Sequence, residues 1–320
     1  MVYGQDPYFS GLGTSLYNNP AASLINLDGD EETKGSLSTT YRDQWSKVSN
    51  NAYKTTNLEG NLRIYESTLD CWNIGMVLLN DRSINALLKT NTILLTTAYT
   101  RKFASSRSRS NIITVGSSVG YHSSNINLND LWFGRQYDLS IFEVSENMSN
   151  GETTILDNRS YFSLNVGGRW IANLDSKNKV SLSVAVHQLN RPTIGFNEEN
   201  NSLSSRVVAI GSYRSTLTRF LSQELGLSYT HQLNSYQLNP YYQVIYALPD
   251  NDDISLLLSL SGRIANSING VLLDAVIPAI GIESNTWQAR ISYDVNVSSL
   301  RMTTPNAGAL ELTLGYYLKT

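Results

Sequence analysis

The side chains best suited to catalysis or metal binding in this sequence are three histidines, His122, His187 and His231, and a single cysteine, Cys71. A metal site needs ligands at turn or helix spacing, or several that converge; these histidines are far apart with no such spacing around them. One thiol builds neither a disulfide framework nor a thiolate metal centre. No G-x-S-x-G, Walker A or C-x-x-C is present, and the glycines of GQDPYFSGLG are not followed by a strand-to-helix pattern. What the sequence does offer is charge set into alternating strands. In TWQARISYDVNVSS, 286–299, Trp287, Ala289, Ile291, Tyr293, Val295 and Val297 share one parity, and Gln288, Arg290, Ser292, Asp294, Asn296 and Ser298 share the other. Arg169, Arg263 and Glu311 stand on the polar parity of their own segments. Five such charges, Arg169, Arg263, Arg290, Asp294 and Glu311, are ion-pair or substrate-contact candidates. No catalytic residue, metal or cofactor is expected.

Side chains on a strand alternate between its faces, so such segments have one apolar and one wet face. About fourteen of them follow one another: 35–46, 53–66, 70–80, 91–104, 111–122, 161–174, 180–189, 205–215, 222–232, 235–248, 254–265, 271–283, 286–298 and 308–319. The phase is clean in most, with Leu310, Leu312, Leu314, Tyr316 and Leu318 opposing Glu311, Thr313, Gly315 and Lys319, and less clean in 205–215 and 235–248. Strands of about ten residues suit a tilted bilayer crossing, whereas soluble strands are nearer five or six. Only 16% of the 320 residues are charged, net −3, while Tyr numbers 19 and mean hydropathy is −0.23. That balance suits an apolar outside with a polar inside, and gives no electrostatic case for nucleic acid. The longest apolar run, VLLDAVIPAIGI, is too short for a transmembrane helix and carries Asp274 and Pro278.

Connection lengths sort by parity. After even segments they are short and mostly polar, as in SSRSRS, DSKNK and PDNDD; the longest, 81–90, 123–160 and 190–204, all follow odd segments. Short periplasmic turns and long outer loops are the pattern of an outer-membrane barrel. The expected fold is therefore all-β: a transmembrane barrel of about fourteen antiparallel strands over 34–320, with long outer loop 123–160. Residues 1–33 read as the end of an export signal followed by an N-terminal extension at or in the lumen. Tyr8, Phe9, Leu16 and Tyr17 would anchor that extension, with Pro7 and Pro20 keeping it out of regular ladder. A slip of one residue in 286–298 would turn Arg290 to lipid at about 2–4 kcal/mol near the midplane.

The N-terminal QDPYFSGLGTSLYNNPAAS, LWFGRQYD at 131–138, IPAIGIES, ISYDVNVSSLR and GALELTLGYYL together resemble the PorP/SprF family, in the same order along the chain. The resemblance implies a non-enzymatic outer-membrane component of the type IX secretion and gliding machinery of Bacteroidota. An SprF-like member would bind, anchor or help display a secreted surface protein, an adhesin recognised by its C-terminal domain. A PorP-like one would link the outer membrane to periplasmic ring components. Leu131, Trp132, Phe133, Tyr137, Ile141 and Phe142, in the long outer loop, are the candidate partner or plug contacts. A porin or solute transporter, and a soluble surface lectin or adhesin, remain the competing readings.

Overall fold

A sheet with a hydrocarbon-facing side cannot keep an open edge, since unpaired backbone groups have no water to bond in lipid. The computed structural model describes residues 15–22, 33–45, 53–83, 87–104, 109–126, 134–138, 142–145, 148, 158–194, 201–249, 251–267, 270–298 and 308–319. One helical turn, α1 (Ser15–Asn18), precedes β1 (Thr33–Gln44), β2 (Tyr53–Glu66), β3 (Asp70–Ser83), β4 (Leu88–Ala104) and β5 (Ser110–Ile126). Two short strands, β6 (Tyr137–Asp138) and β7 (Glu143–Val144), lie before β8 (Asn158–Asn173) and β9 (Asn178–His187). Two more, β10 (Thr193–Ile194) and β11 (Asn201–Ser202), precede β12 (Arg206–Thr216), β13 (Leu221–Gln232), β14 (Ser235–Leu248) and β15 (Asn251–Ser267). The chain ends with β16 (Gly270–Ser284), β17 (Trp287–Asn296) and β18 (Ala309–Lys319). Fourteen of these strands form one closed antiparallel barrel, neighbours in sequence being neighbours in space, with β1 paired to β18 to shut it.

The register follows the alternation. Ile291 pairs with Leu312 and both face outward, while their neighbours Ser292 and Glu311 pair with each other and are buried within the bore. Trp287, Tyr293, Val295, Leu310 and Leu314 are exposed on the same outer skin. The opposite parity carries Ser36, Ser38, Thr40 and Arg42 on β1 and Thr55, Asn57, Glu59 and Asn61 on β2, all buried. β12 and β14 carry apolar groups on both faces, with Val208 and Ile245 buried inward and Tyr213, Tyr242 and Tyr246 outward, which blurs their phase in the sequence.

Several strands run a few residues past their expected ends, and one expected long connection is thereby lost. Residues 81–90 are mostly ladder rather than a long connection, because β3 continues to Ser83 and β4 begins at Leu88. A polar cross-strand bond extends the hairpin there, Asn80 Nδ2 donating to Asn91 Oδ1 at 2.6 Å, while along β3 Arg82 Nε donates to Asn80 Oδ1 at 3.2 Å. Hydrophobic periodicity cannot register such bonds. The stretches between β5 and β8 and between β9 and β12 stay long, and each carries a two-stranded ribbon of its own. They share an end of the barrel opposite Thr33 and Lys319, which pair at the start of β1 and the end of β18.

Candidate functional site

The inner face is not uniformly polar. Val77 and Leu79 on β3 and Leu94 on β4 point into the bore and form a buried cluster with Leu16 and Tyr17 of the N-terminal segment. α1 therefore sits inside the barrel. Ser15 closes the turn by accepting the Asn19 N–H at 2.9 Å, and Pro20 then forbids continuation. The N–H groups at the start of the turn would be orphans in a dry interior. Glu59, only 2% exposed, meets them: Oε2 accepts from the Leu16 N–H and Oε1 from the Tyr17 N–H, each at 3.1 Å, and Oε1 also from Asn57 Nδ2 at 3.0 Å. A carboxylate at a helix start also suits the direction of the peptide dipoles.

The rest of the segment is seated as closely. Asn19 Nδ2 donates to the carbonyls of Gly168 at 3.2 Å and Val184 at 3.3 Å, while its Oδ1 accepts the Ala21 N–H at 2.8 Å. His187 Nε2 donates to the Asn18 carbonyl at 3.0 Å, and the Arg206 guanidinium lies 5.1 Å from the centre of the Tyr17 ring. Beneath Asn19–Pro20–Ala21 the wall has two glycines paired directly across β5 and β8, Gly116 and Gly167. A Cβ on Gly116 would stand 2.6 Å from the Pro20 carbonyl carbon and oxygen, and one on Gly167 would run into the Asn19 side-chain oxygen. Only a bare backbone lets the segment lie this close.

A second cluster ties the bore across the closing seam. Arg42 on β1 donates to Asp294 Oδ2 at 2.6 Å and to Glu311 Oε2 at 3.2 Å, all three buried. Arg263 on β15 reaches Asp294 and, through Nε, Asp274, both at 2.7 Å. A cavity of about 40 Å³ beside it is lined by Gln44, Trp45, Asn296, Arg263, Asp274 and Asp294, room for one or two waters. Among the described residues no group of three or more His, Cys, Asp or Glu is placed to hold a metal ion.

Over residues 2–316 the chain matches the family model described as type IX secretion system membrane protein PorP/SprF. The chain belongs to the PorP/SprF family. No curated protein sequence matches it. Among solved structures it is similar to a FadL homologue of Pseudomonas aeruginosa, at TM-score 0.53 and 10% identity over 95% of this chain and 94% of that one. It is also similar to the CymD monoaromatic hydrocarbon channel (0.56, 8%, 98% and 94%) and the Pseudomonas putida toluene transporter TodX (0.52, 9%, 96% and 94%). At these identities the likeness shows a shared outer-membrane barrel fold.

In this PorP/SprF barrel the five charges read from the sequence separate into two groups. Arg263, Asp294 and Glu311 meet in the Arg42 network. Arg290 stands apart, donating to Gln243 Oε1 at 2.9 Å, and so does Arg169, whose Nε lies 3.4 Å from Ser181 Oγ. Leu16 and Tyr17 lie in the bore; Tyr8, Phe9, Leu131, Trp132, Phe133 and Ile141 fall outside the described residues. Tyr137 and Phe142 sit on the small β6–β7 ribbon at the outer end, with Phe142 74% exposed at φ 53°, a left-handed backbone that aromatic residues rarely adopt. Glu59, Asn19, Gly116, Gly167, His187, Arg206, Arg42 and Asp274 were not singled out. The available signal was MVLL, 76–79: apolar groups on both parities of a strand whose inner face should be polar mean that something apolar lies inside.

Proposed function

We propose that this PorP/SprF member is a non-enzymatic, SprF-like component of the type IX secretion and gliding machinery. In the outer membrane of a Bacteroidota-type cell it binds and anchors a secreted surface protein, an adhesin, through that protein's C-terminal domain. The observation that carries this reading is the seated segment 15–22. A bore whose polar groups are consumed by the chain's own backbone is suited to holding a partner at its outer face rather than to passing solute. The outer end supplies a surface for it: Tyr137, Phe142, Val144 and Met148 are apolar and exposed on and beside the β6–β7 ribbon. Apolar groups held out in water mark contact sites.

Affinity purification from native membranes in mild detergent, followed by mass spectrometry, tests it. A large secreted surface protein should co-purify, and substitution of Phe142 and Val144 by Ser should release it while the barrel stays folded. Recovery of periplasmic ring components alone would favour a PorP-like link to the secretion core. The solute-transporter reading, prompted by the hydrocarbon channels that share the fold, predicts steady conductance in planar bilayers, where a plugged anchor should be nearly silent.

A further inference from the structure

The barrel wall is not equally strong all the way round. Two prolines lie inside its strands, Pro240 on β14 and Pro278 on β16, and both face outward. Proline has no N–H for a ladder and is normally confined to edges or bulges, yet a closed barrel offers no edge. Pro240 keeps its register with Leu227 on β13, but the β14–β15 ladder passes from Leu238↔Ile264 to Tyr241↔Ser261 with no pair between. Pro278 keeps Leu260 on β15, but the β16–β17 ladder passes from Val276↔Val295 to Ala279↔Ser292. By this register the Gly262 and Tyr293 carbonyls face proline nitrogens instead of N–H donors. The other barrel ladders, among the described residues, run through bulges at most.

The two gaps flank one hairpin. β15 and β16 stay paired to each other from Ile254↔Ser284 to Ser267↔Gly270, with a single bulge at Arg263/Ile264. The gaps also lie at nearly one level, since Gly262 pairs with Val276 and Leu260 with Pro278. On the bore side of that level Arg263 reaches over β16, bonding Asp274 on it and Asp294 on β17 beyond, and Asp294 is held in turn by Arg42 of β1. The backbone ladder is interrupted at both seams of this sector, and an ion pair from β15 to β17 spans one of them on the wet side.

The geometry points to a wall panel: the β15–β16 hairpin parts from β14 and β17 as a unit and opens the bore sideways to the hydrocarbon, with Arg263–Asp294 as its latch. An acid and a base that bridge β15 to β17 resist parting at the β16–β17 seam directly, where the ladder is interrupted. Among the described residues no other barrel ladder is interrupted at a proline.

Hydrogen exchange of the full-length protein in lipid nanodiscs tests this. Amides on the β14–β15 and β16–β17 ladders should exchange about tenfold faster or more than those between β4 and β5, rising and falling together as one opening unit. Asp294→Asn should speed these two ladders and leave β4–β5 alone, and adding Pro240→Ala with Pro278→Ala should return them towards the β4–β5 rate. If Asp294→Asn fails to assemble, Arg263→Gln cuts the same pair while sparing Arg42–Asp294. Protection at the β14–β15 and β16–β17 ladders equal to that at β4–β5 in both wild type and variant would overturn the panel, as would an acceleration spread evenly over every ladder.

Discussion

Replacing Gly116 and Gly167 together by alanine separates the plug from the wall that holds it. Both lie on strand interiors and face the bore, so alanine suits the ladder at least as well as glycine and removes backbone freedom from the unfolded chain. The seated segment cannot tolerate either methyl. At Gly116 the new Cβ meets backbone, the carbonyl carbon and oxygen of Pro20 at 2.6 Å, and must push it back by most of an ångström before the contact is ordinary. At Gly167 it meets the side chain that bonds Gly168 and Val184. Because the two glycines are paired to each other, moving the segment away from one methyl cannot also clear the other. Overpacking costs about 1–3 kcal/mol per site, so the pair shifts the seated-to-unseated ratio by roughly 30-fold to 10⁴-fold if the costs add. Single-channel recording in planar bilayers should then show openings that wild type lacks, and limited proteolysis should cleave near residues 15–22. The barrel itself should unfold at the same temperature or slightly higher. A silent variant with an intact, protease-resistant N-terminal segment would show that this seat does not control the bore.

Glu59→Gln keeps shape but leaves one acceptor where two N–H groups arrive from opposite oxygens; the seat should weaken by about 1.5–3 kcal/mol, read as faster cleavage of the N-terminal segment with unchanged barrel melting. Arg42→Met removes the buried ion pairs to Glu311 and Asp294, costing about 3–5 kcal/mol, visible as a lower unfolding temperature on semi-native gels. Leu312→Arg places a charge on the hydrocarbon skin and should cost about 2–4 kcal/mol if it lies near the midplane, whereas Thr313→Arg, pointing into the bore, should disturb packing without that lipid penalty.

The barrel was legible because a hydrocarbon skin and a wet bore write a period of two into every strand, and long strands repeat it often enough to be counted. All fourteen segments are strands, and Ile291 and Leu312 face outward while Arg290 faces in. Bulges were not legible. At Arg263/Ile264 the pairing jumps from Ala275 to Leu273, leaving Asp274 an extra inward residue within an apolar run. From the segment's side the signal is Leu16 and Tyr17, apolar groups penned between prolines, and from the wall's side only the doubly apolar MVLL at 76–79. Nothing local distinguishes Glu59 from any other bore-facing acid, or Gly116 from any other strand glycine, because their partners lie more than forty residues away in sequence. Arg42 was hidden in the same way, its parity readable but its partners supplied by the far end of the chain.

A bore lined with polar groups has two ways to satisfy them, by water or by the protein's own groups, and this chain uses its own in two separate arcs. The segment around α1 is bound by Glu59 on β2, the apolar cluster on β3 and β4, Gly116 on β5, the Gly168 carbonyl on β8, His187 on β9 and Arg206 on β12. The ion-pair network takes β1, β15, β16, β17 and β18. Between them stand β13 and β14, joined by Tyr241 donating to Glu224 at 2.8 Å, and the first seam beyond them is the one Pro240 interrupts. Two braces that share no residue should fail independently. In denaturant unfolding of the whole barrel, the loss caused by Arg42→Met should therefore be the same to within about 0.5 kcal/mol with and without Glu59→Gln. A larger interaction energy would mean that plug and network hold one common brace, and that the bore is a single cooperative core rather than two arcs meeting at a weak seam.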